Sequence, residues 1–319
     1  MNFAGGGNSV DLFEYSTDNK YLATISDQGL YIWDIFGEKI IKKIASENLY
    51  SLSFSPDCKH VAIGSWKSKF YITNIETGDC EFFPTKRGIN YVKYSPDGKH
   101  ICLWNTWYSS MTLFNTVTCT CIEVFKGFSG CMPKNIAFSP DGEYITASHG
   151  KIVHILKLEN NNVSKLRGHI QNVEYVDYSP NGKQIASACS KLLCIWDSKT
   201  KNCIKTFKLD KYVPWRSYIK SLNFSQDGNY LMFCNYHTGG VYIWDTHLWT
   251  CLTLKYDRPR CVKMGYNHLY ISYHNIGKIF KISELTGLSV HTLEKFIFNF
   301  LNEQLLDSTL FTNIINFVA

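Results

Sequence analysis

The sequence predicts an all-β protein: seven four-stranded sheets arranged as a ring, followed by a short helical segment at the C-terminus. Three observations carry this prediction. A tight-turn signature recurs as Ser16-Thr17-Asp18-Asn19, Ser55-Pro56-Asp57-Cys58, Ser95-Pro96-Asp97-Gly98, Ser139-Pro140-Asp141-Gly142, Ser179-Pro180-Asn181-Gly182 and Ser225-Gln226-Asp227-Gly228, with a shortened copy at Gly265-Tyr266-Asn267. Proline presets φ in such turns, and Asn or Gly accepts positive φ. Neighbouring copies start 39 to 46 residues apart. Between turns lie short apolar or alternating runs of strand length rather than helix length.

The unit is clearest from Val173 to Phe207. Val173–Tyr178 alternates as a first strand, Gln184–Ala188 and Leu192–Trp196 form a second and third, and Cys203–Phe207 forms a fourth. Four antiparallel strands at a period of roughly 40–45 residues make one blade of a β-propeller. The third strands exit on Trp33-Asp34, Thr73-Asn74, Phe114-Asn115, Leu156-Lys157, Trp196-Asp197, Trp244-Asp245 and Ser283-Glu284. With three Trp-Asp pairs, this period and this turn, the chain resembles the WD40-repeat family over roughly residues 9–287.

The resemblance implies a seven-bladed propeller over 1–287, with repeats starting near 9, 48, 88, 132, 170, 215 and 258. It also implies a hydrogen-bonded set joining a histidine before the first strand, a second-strand Ser or Thr, a turn Asp and the third-strand Trp. Thr24, Asp27 and Trp33 match three of those slots in the first repeat, with Asp34 completing its exit pair. His169, Ser187 and Trp196 match in the fifth, where Asp197 follows and Ser190 stands in the usual Asp place. Trp244 and Asp245 repeat the exit pair in the sixth. Such a set is structural, because a buried indole N–H and hydroxyl need partners.

Residues 288–319 break the pattern. Leu293, Phe296, Ile297, Phe300, Leu301 and Leu305 follow helical spacing, and Ser289 fits an N-cap. This segment is expected to form a helical appendage packing near blade seven. Against that, Leu288–Leu293 also aligns with the fourth strands of other repeats. Blade seven is therefore expected to keep three good strands, the residues before Ser9 supplying at most a very short outer one.

Composition narrows the function. Of 319 residues 45% are hydrophobic and 15% aromatic, which suits packed sheets. A formal charge of +6 without like-charge blocks argues against a nucleic-acid tail. No signal sequence or apolar stretch of spanning length is evident. The twelve cysteines lack a Cys-x-x-Cys pair and read as free thiols in a reducing cytoplasmic or nuclear setting. Cys80, Cys121, Cys203 and Cys251 open fourth strands and are expected to pack between blades as small apolar residues. No catalytic, metal or cofactor motif is present, so the expectation is no enzyme, no cofactor and no metal.

The family plan places the loops after second strands, and those between blades, on one face around the central channel. That face collects Trp66, Lys67, Arg87, Trp104, Trp107, Tyr108, Tyr212, Trp215, Arg216, Tyr236, Arg258 and Arg260. Trp, Tyr and Arg dominate binding hot spots, and guanidinium groups chelate carboxylates and phosphates. The expected function is a protein-interaction scaffold that binds a partner protein or an acidic or phosphorylated peptide there. The alternatives are a ubiquitin-ligase substrate receptor using the C-terminal helices, a nucleic-acid-associated propeller and a propeller enzyme.

Overall fold

A computed structural model describes residues 2–3, 10–26, 28–37, 39–44, 48–86, 88–105, 110–126, 135–209, 218–235, 237, 239–255, 259–264, 268–273 and 276–281. The short strand β1 (Asn2–Phe3) comes first. Blade one holds β2 (Val10–Tyr15), β3 (Tyr21–Ser26), β4 (Gly29–Asp34) and β5 (Lys39–Ile44). Blade two holds β6 (Leu49–Phe54), β7 (His60–Ser65), β8 (Lys69–Asn74) and β9 (Cys80–Pro84). Blade three holds β10 (Tyr91–Tyr94), β11 (His100–Asn105), β12 (Ser110–Asn115) and β13 (Thr120–Lys126). Blade four holds β14 (Ile136–Phe138), β15 (Tyr144–His149), β16 (Ile152–Lys157) and β17 (Val163–Arg167). Blade five holds β18 (Tyr175–Tyr178), β19 (Gln184–Ala188), β20 (Leu192–Asp197) and β21 (Cys203–Lys208). Blade six holds β22 (Ile219–Phe224), β23 (Tyr230–Asn235), β24 (Gly240–Asp245) and β25 (Cys251–Lys255). Last come β26 (Pro259–Met264), β27 (His268–Tyr273) and β28 (Ile276–Lys281).

Six sheets are antiparallel meanders of four consecutive strands; the remaining sheet has the order β1-β28-β27-β26. The innermost strands β2, β6, β10, β14, β18, β22 and β26 touch in sequence, and β26 returns to β2. The Tyr15 hydroxyl fixes that return by donating to the Met264 carbonyl at 2.7 Å.

The expected fold class, a seven-bladed propeller plus a helical segment, is corrected by this topology. Six blades are complete repeats, whereas the last sheet is composite, with three strands from the end of the chain and one from its start. Its outer edge is not left open: Asn2 pairs with Lys278 and Phe3 with Gly277. Among the described residues there is no helix, and the expected appendage at 288–319 lies outside them. The exit pair of the last repeat is corrected too. His268 pairs with Lys281 and Leu269 with Phe280, as Tyr230 pairs with Asp245 and Leu231 with Trp244. Phe280-Lys281, not Ser283-Glu284, therefore occupies the Trp-Asp place.

Each recurring residue has a local task. In all six full turns the serine hydroxyl donates to the Asp or Asn two residues on, as Ser95 does to Asp97 at 2.6 Å. The serine oxygen in turn accepts the N–H that opens the second strand, as from His100 at 3.0 Å. The fourth turn residue takes positive φ, from 58° at Cys58 to 76° at Gly142 and Gly228, which is why glycine is frequent there. The exit Asp or Asn caps the next turn. Asp34 accepts the N–H groups of Phe36 and Gly37, and Asn74, Asn115, Asp197 and Asp245 do the same in their blades.

The core fills the gaps between neighbouring sheets. Ala23, Ile25, Leu30 and Ile32 of blade one meet Leu52, Phe54, Val61 and Ile63 of blade two. Ala186, Leu193 and Ile195 of blade five meet Leu222, Phe224 and Phe233 of blade six. Middle strands are thus covered on both faces, and every residue of β24 is buried. Fourth strands are not. Cys80, Cys121 and Cys203 are exposed and Cys251 is half-buried, so the expected packing role of these cysteines fails. Their shared register reflects pairing with the exit position instead, as Cys203 with Trp196 and Cys251 with Trp244.

Candidate functional site

The inner strands surround a channel of about 880 Å³. An inner strand has no sheet partner on its channel side, so its outward N–H groups need other acceptors. The blade before supplies them. Ser53 accepts the Tyr94 N–H at 3.1 Å, Asn135 that of Val176 at 3.0 Å, Glu174 that of Ile219 at 2.7 Å, Asp177 that of Phe224 at 2.8 Å and Ser221 that of Val262 at 3.1 Å.

Two residues before each turn, one position recurs in every inner strand: Glu14, Ser53, Lys93, Ala137, Asp177, Asn223 and Lys263. Its charges fall on alternate blades. Lys93 bonds Glu14 at 2.7 Å, and the Lys263 ammonium lies 4.0 Å from the same oxygen. Burial opposes the Glu14 charge, but the two ammonium groups outweigh it and hold the carboxyl below its ordinary value. Burial wins at Asp177, pushing its carboxyl up to about 6 despite the Phe224 N–H and the two lysines. The belt neutralises itself and staples distant blades.

The expected hydrogen-bonded sets are present where their residues are described. The Trp33 indole donates to Thr24 Oγ1 at 3.0 Å, and Asp27 lies outside the described residues. In blade five, Trp196 Nε1 donates to Ser187 Oγ at 2.7 Å, and Ser187 lies 2.6 Å from His169 Nε2. Burial lowers His169 to about 4, so the ring is neutral and Nε2 shares a hydrogen bond with the Ser187 hydroxyl. Ser190 bonds Gln171. A serine–histidine pair suggests nucleophilic catalysis, but Ser187 is fully buried and, among the described residues, the group recorded at His169 Nδ1 is the Cys194 thiol rather than a carboxylate. Trp244 is buried, and Asp245 caps its turn.

On the loop face, Trp66 and Lys67 are exposed between β7 and β8. Trp104 is corrected: it is fully buried in β11, paired with Tyr91 and Met111 and packed with Cys102 and Ile136. It lies inside the strand, because β11 runs to Asn105 before the loop begins. Arg260 lies in β26. Arg87, Trp107, Tyr108, Tyr212, Trp215, Arg216, Tyr236 and Arg258 lie outside the described residues. Sequence reasoning missed Tyr50, the bulged residue of β6 at the channel mouth. Its ring lies 5.9 Å from Trp66.

The disk is asymmetric in charge. At the loop end Lys67, Lys86, Lys151, Arg167, Lys208 and Lys220 are exposed, and the one acid among the described side chains there, Glu174, is buried. The opposite end is mixed: its turns expose Asp18, Asp57, Asp97, Asp141, Glu143 and Asp227 together with Lys20, Lys59, Lys99 and Lys183. Among the described residues, no three His, Cys, Asp or Glu converge as a metal site, and no helix is long and apolar enough to cross a membrane.

The family described as WD40, WD domain, G-beta repeat, matches residues 160–197, the stretch holding the His169–Ser187–Trp196 set. The crystal structure of the Cps50 (Swd1) β-propeller domain from Myceliophteria thermophila aligns with a TM-score of 0.76, over 89% of this chain and 100% of that one, at 13% identity. This chain is a β-propeller whose residues 160–197 match a WD40 repeat. The chain is also similar to the transcriptional corepressor LEUNIG_HOMOLOG of Arabidopsis thaliana, with 26% identity over 211 residues. That match covers 51% of this chain and 26% of the relative, so the chain spans about a quarter of that protein's length. WD40 propellers generally mediate protein–protein interactions and are typically non-catalytic.

Proposed function

We propose that this propeller is a non-catalytic scaffold that holds a partner protein through an acidic segment laid on its loop face. The observation that carries this reading is the one-signed charge of the loop end, where cations are exposed without an exposed acid among the described side chains, whereas the turns at the other end expose carboxylates and lysines together. Such a face steers an acidic partner and rejects a basic one. Exposed aromatic side chains at the channel mouth supply the apolar part of the contact. The likeness to a protein named as a transcriptional corepressor favours a nuclear assembly as the setting.

The test reverses charge on one face at a time. A Lys67→Glu, Lys151→Glu, Lys220→Glu variant is compared with a Lys59→Glu, Lys99→Glu, Lys183→Glu variant, which carries the same charge change on the turn face. Loss of partner capture only in the first, with steep salt dependence in the parent, is the expected result. Equal loss in both refutes the assignment of the face.

A further inference from the structure

We propose that Tyr50 and Trp66, with Lys67 and Lys86 beside them, form the anchoring site for an acidic linear peptide bearing a large apolar side chain. This rests on the loop-face reading and goes beyond it by naming the anchor and the peptide chemistry. Tyr50 is 51% exposed and Trp66 44% exposed, two of four large apolar side chains exposed at the loop face among the described residues, with Ile170 and Tyr218. Their rings lie 5.9 Å apart at 45°, so they form one continuous aromatic surface. Aromatic rings left in water at adjoining positions are a mark of an interaction site.

The backbone under these rings is fixed from several sides. The Trp66 N–H bonds the Asn48 carbonyl at 3.1 Å, Ile89 N–H bonds Ser65 at 2.8 Å, and Thr85 N–H bonds Ser68 at 2.8 Å. Asn48 and Ser68 both hold positive φ, 63° and 53°. A Cβ on Gly88 would collide with the Trp66 carbonyl, and one on Gly64 would crowd Ser51 and Ile89. A bulge at Tyr50 lifts that residue out of the ladder, a device that re-aims side chains. An exposed aromatic pair on so constrained a loop is preorganised, which lowers the ordering cost of binding.

The charges select the occupant. Lys67 follows Trp66 directly, and Lys86 follows Thr85, which is bonded to the same loop; both are exposed. Carboxylates of the peptide meet these ammonium groups while its apolar side chain lies on the rings. A nucleic-acid strand fits less well. Base stacking uses a face-on platform for successive bases, whereas these two rings are tilted against each other.

The test uses a fluorescein-labelled short peptide alternating glutamate and leucine, titrated with the full chain. Trp66→Ala and Tyr50→Ala are each expected to weaken the dissociation constant by about tenfold or more. Ile170→Ala, which removes another exposed apolar side chain from the same face, is expected to change it little. Two variants keep the test valid should one misfold, and an unchanged thermal midpoint verifies each. Binding that tolerates both alanines but falls in the Lys151→Glu, Lys220→Glu variant overturns the anchor and leaves the loop-face reading standing. A parent chain that does not bind the peptide overturns both. Tighter, Trp66-dependent binding of single-stranded oligothymidylate overturns the peptide assignment.

Discussion

Replacing Ser187 by alanine removes one oxygen and breaks two bonds. Ser187 accepts the Trp196 indole proton at 2.7 Å and is hydrogen-bonded to His169 Nε2 at 2.6 Å. Trp196 is 2% exposed and His169 5% exposed, so water cannot replace either bond at no cost. A buried polar group left unpaired costs about 1–3 kcal/mol. Two such groups set the expected loss at about 2–6 kcal/mol, with the lower half favoured if the ring rotates toward another acceptor. In a domain of this size each kcal/mol lowers the midpoint by about 2 °C, so a fall of about 4–8 °C is expected by scanning calorimetry. Thr24→Val is the control: it keeps the shape but removes the Thr24 hydroxyl that accepts the Trp33 indole proton, with an expected loss of about half. Should Ser187→Ala cost no more than Thr24→Val, the relay through Ser187 is not a working unit and the reasoning fails.

The channel belt predicts opposite effects from two carboxylates in the same register. Glu14→Gln strands Lys93 and is expected to lower urea stability by about 1–3 kcal/mol, less than a fully buried pair because Lys93 keeps 39% of its side-chain surface. Asp177→Asn keeps an acceptor for the Phe224 N–H while removing a charge that burial opposes, so at pH 7 it is expected to unfold no earlier than the parent. Acid should destabilise the ring. Burial lowers His154 and His169 from 6.5 to about 4, so the unfolded chain takes up protons that the folded chain refuses. Stability from these groups is complete above about pH 6.5 and drains away as pH falls toward 4. Asp177 has the opposite sign, since its raised value makes stability fall as pH rises from 3.8 to about 6. Asp177→Asn should therefore steepen the acid loss, and a slope no steeper than the parent's counts against this assignment. Gly88→Ala is expected to displace the Trp66 loop, seen as an altered tryptophan quench by acrylamide; an unchanged quench refutes the close approach.

The repeat was legible because each turn residue acts locally. Ser95 and Asp97 bond within their own turn, so the same letters must recur. Side-chain direction was not legible. Trp104 belongs to β11 rather than to the loop after it, and in a strand each step reverses the face, so a boundary error of two residues turned a core side chain into a surface candidate. The exit pair of the last repeat failed for a related reason. Its turn is short, and only pairing with β27 shows that Phe280-Lys281 holds the place. The channel belt did leave a signal, because aligning the repeats on their turn serine brings Glu14, Lys93 and Asp177 into one column, with Lys263 matching in the shortened copy. A two-residue strand such as Asn2–Phe3 carries no pattern at all, and only its partner in β28 defines it.

That pairing sets an order of events during synthesis. Asn2 is synthesised long before its partner Lys278. The six contiguous blades contain their own strand pairings and can condense as they emerge, each waiting only for its neighbour to cover its face. The ring, however, stays a broken arc until β28 arrives and captures Asn2 and Phe3. Contacts of such sequence separation are slow to form, and until then the two terminal sheets face solvent with apolar surfaces. Nascent chains stalled before β28 should be bound by holding chaperones, whereas chains released after it should not.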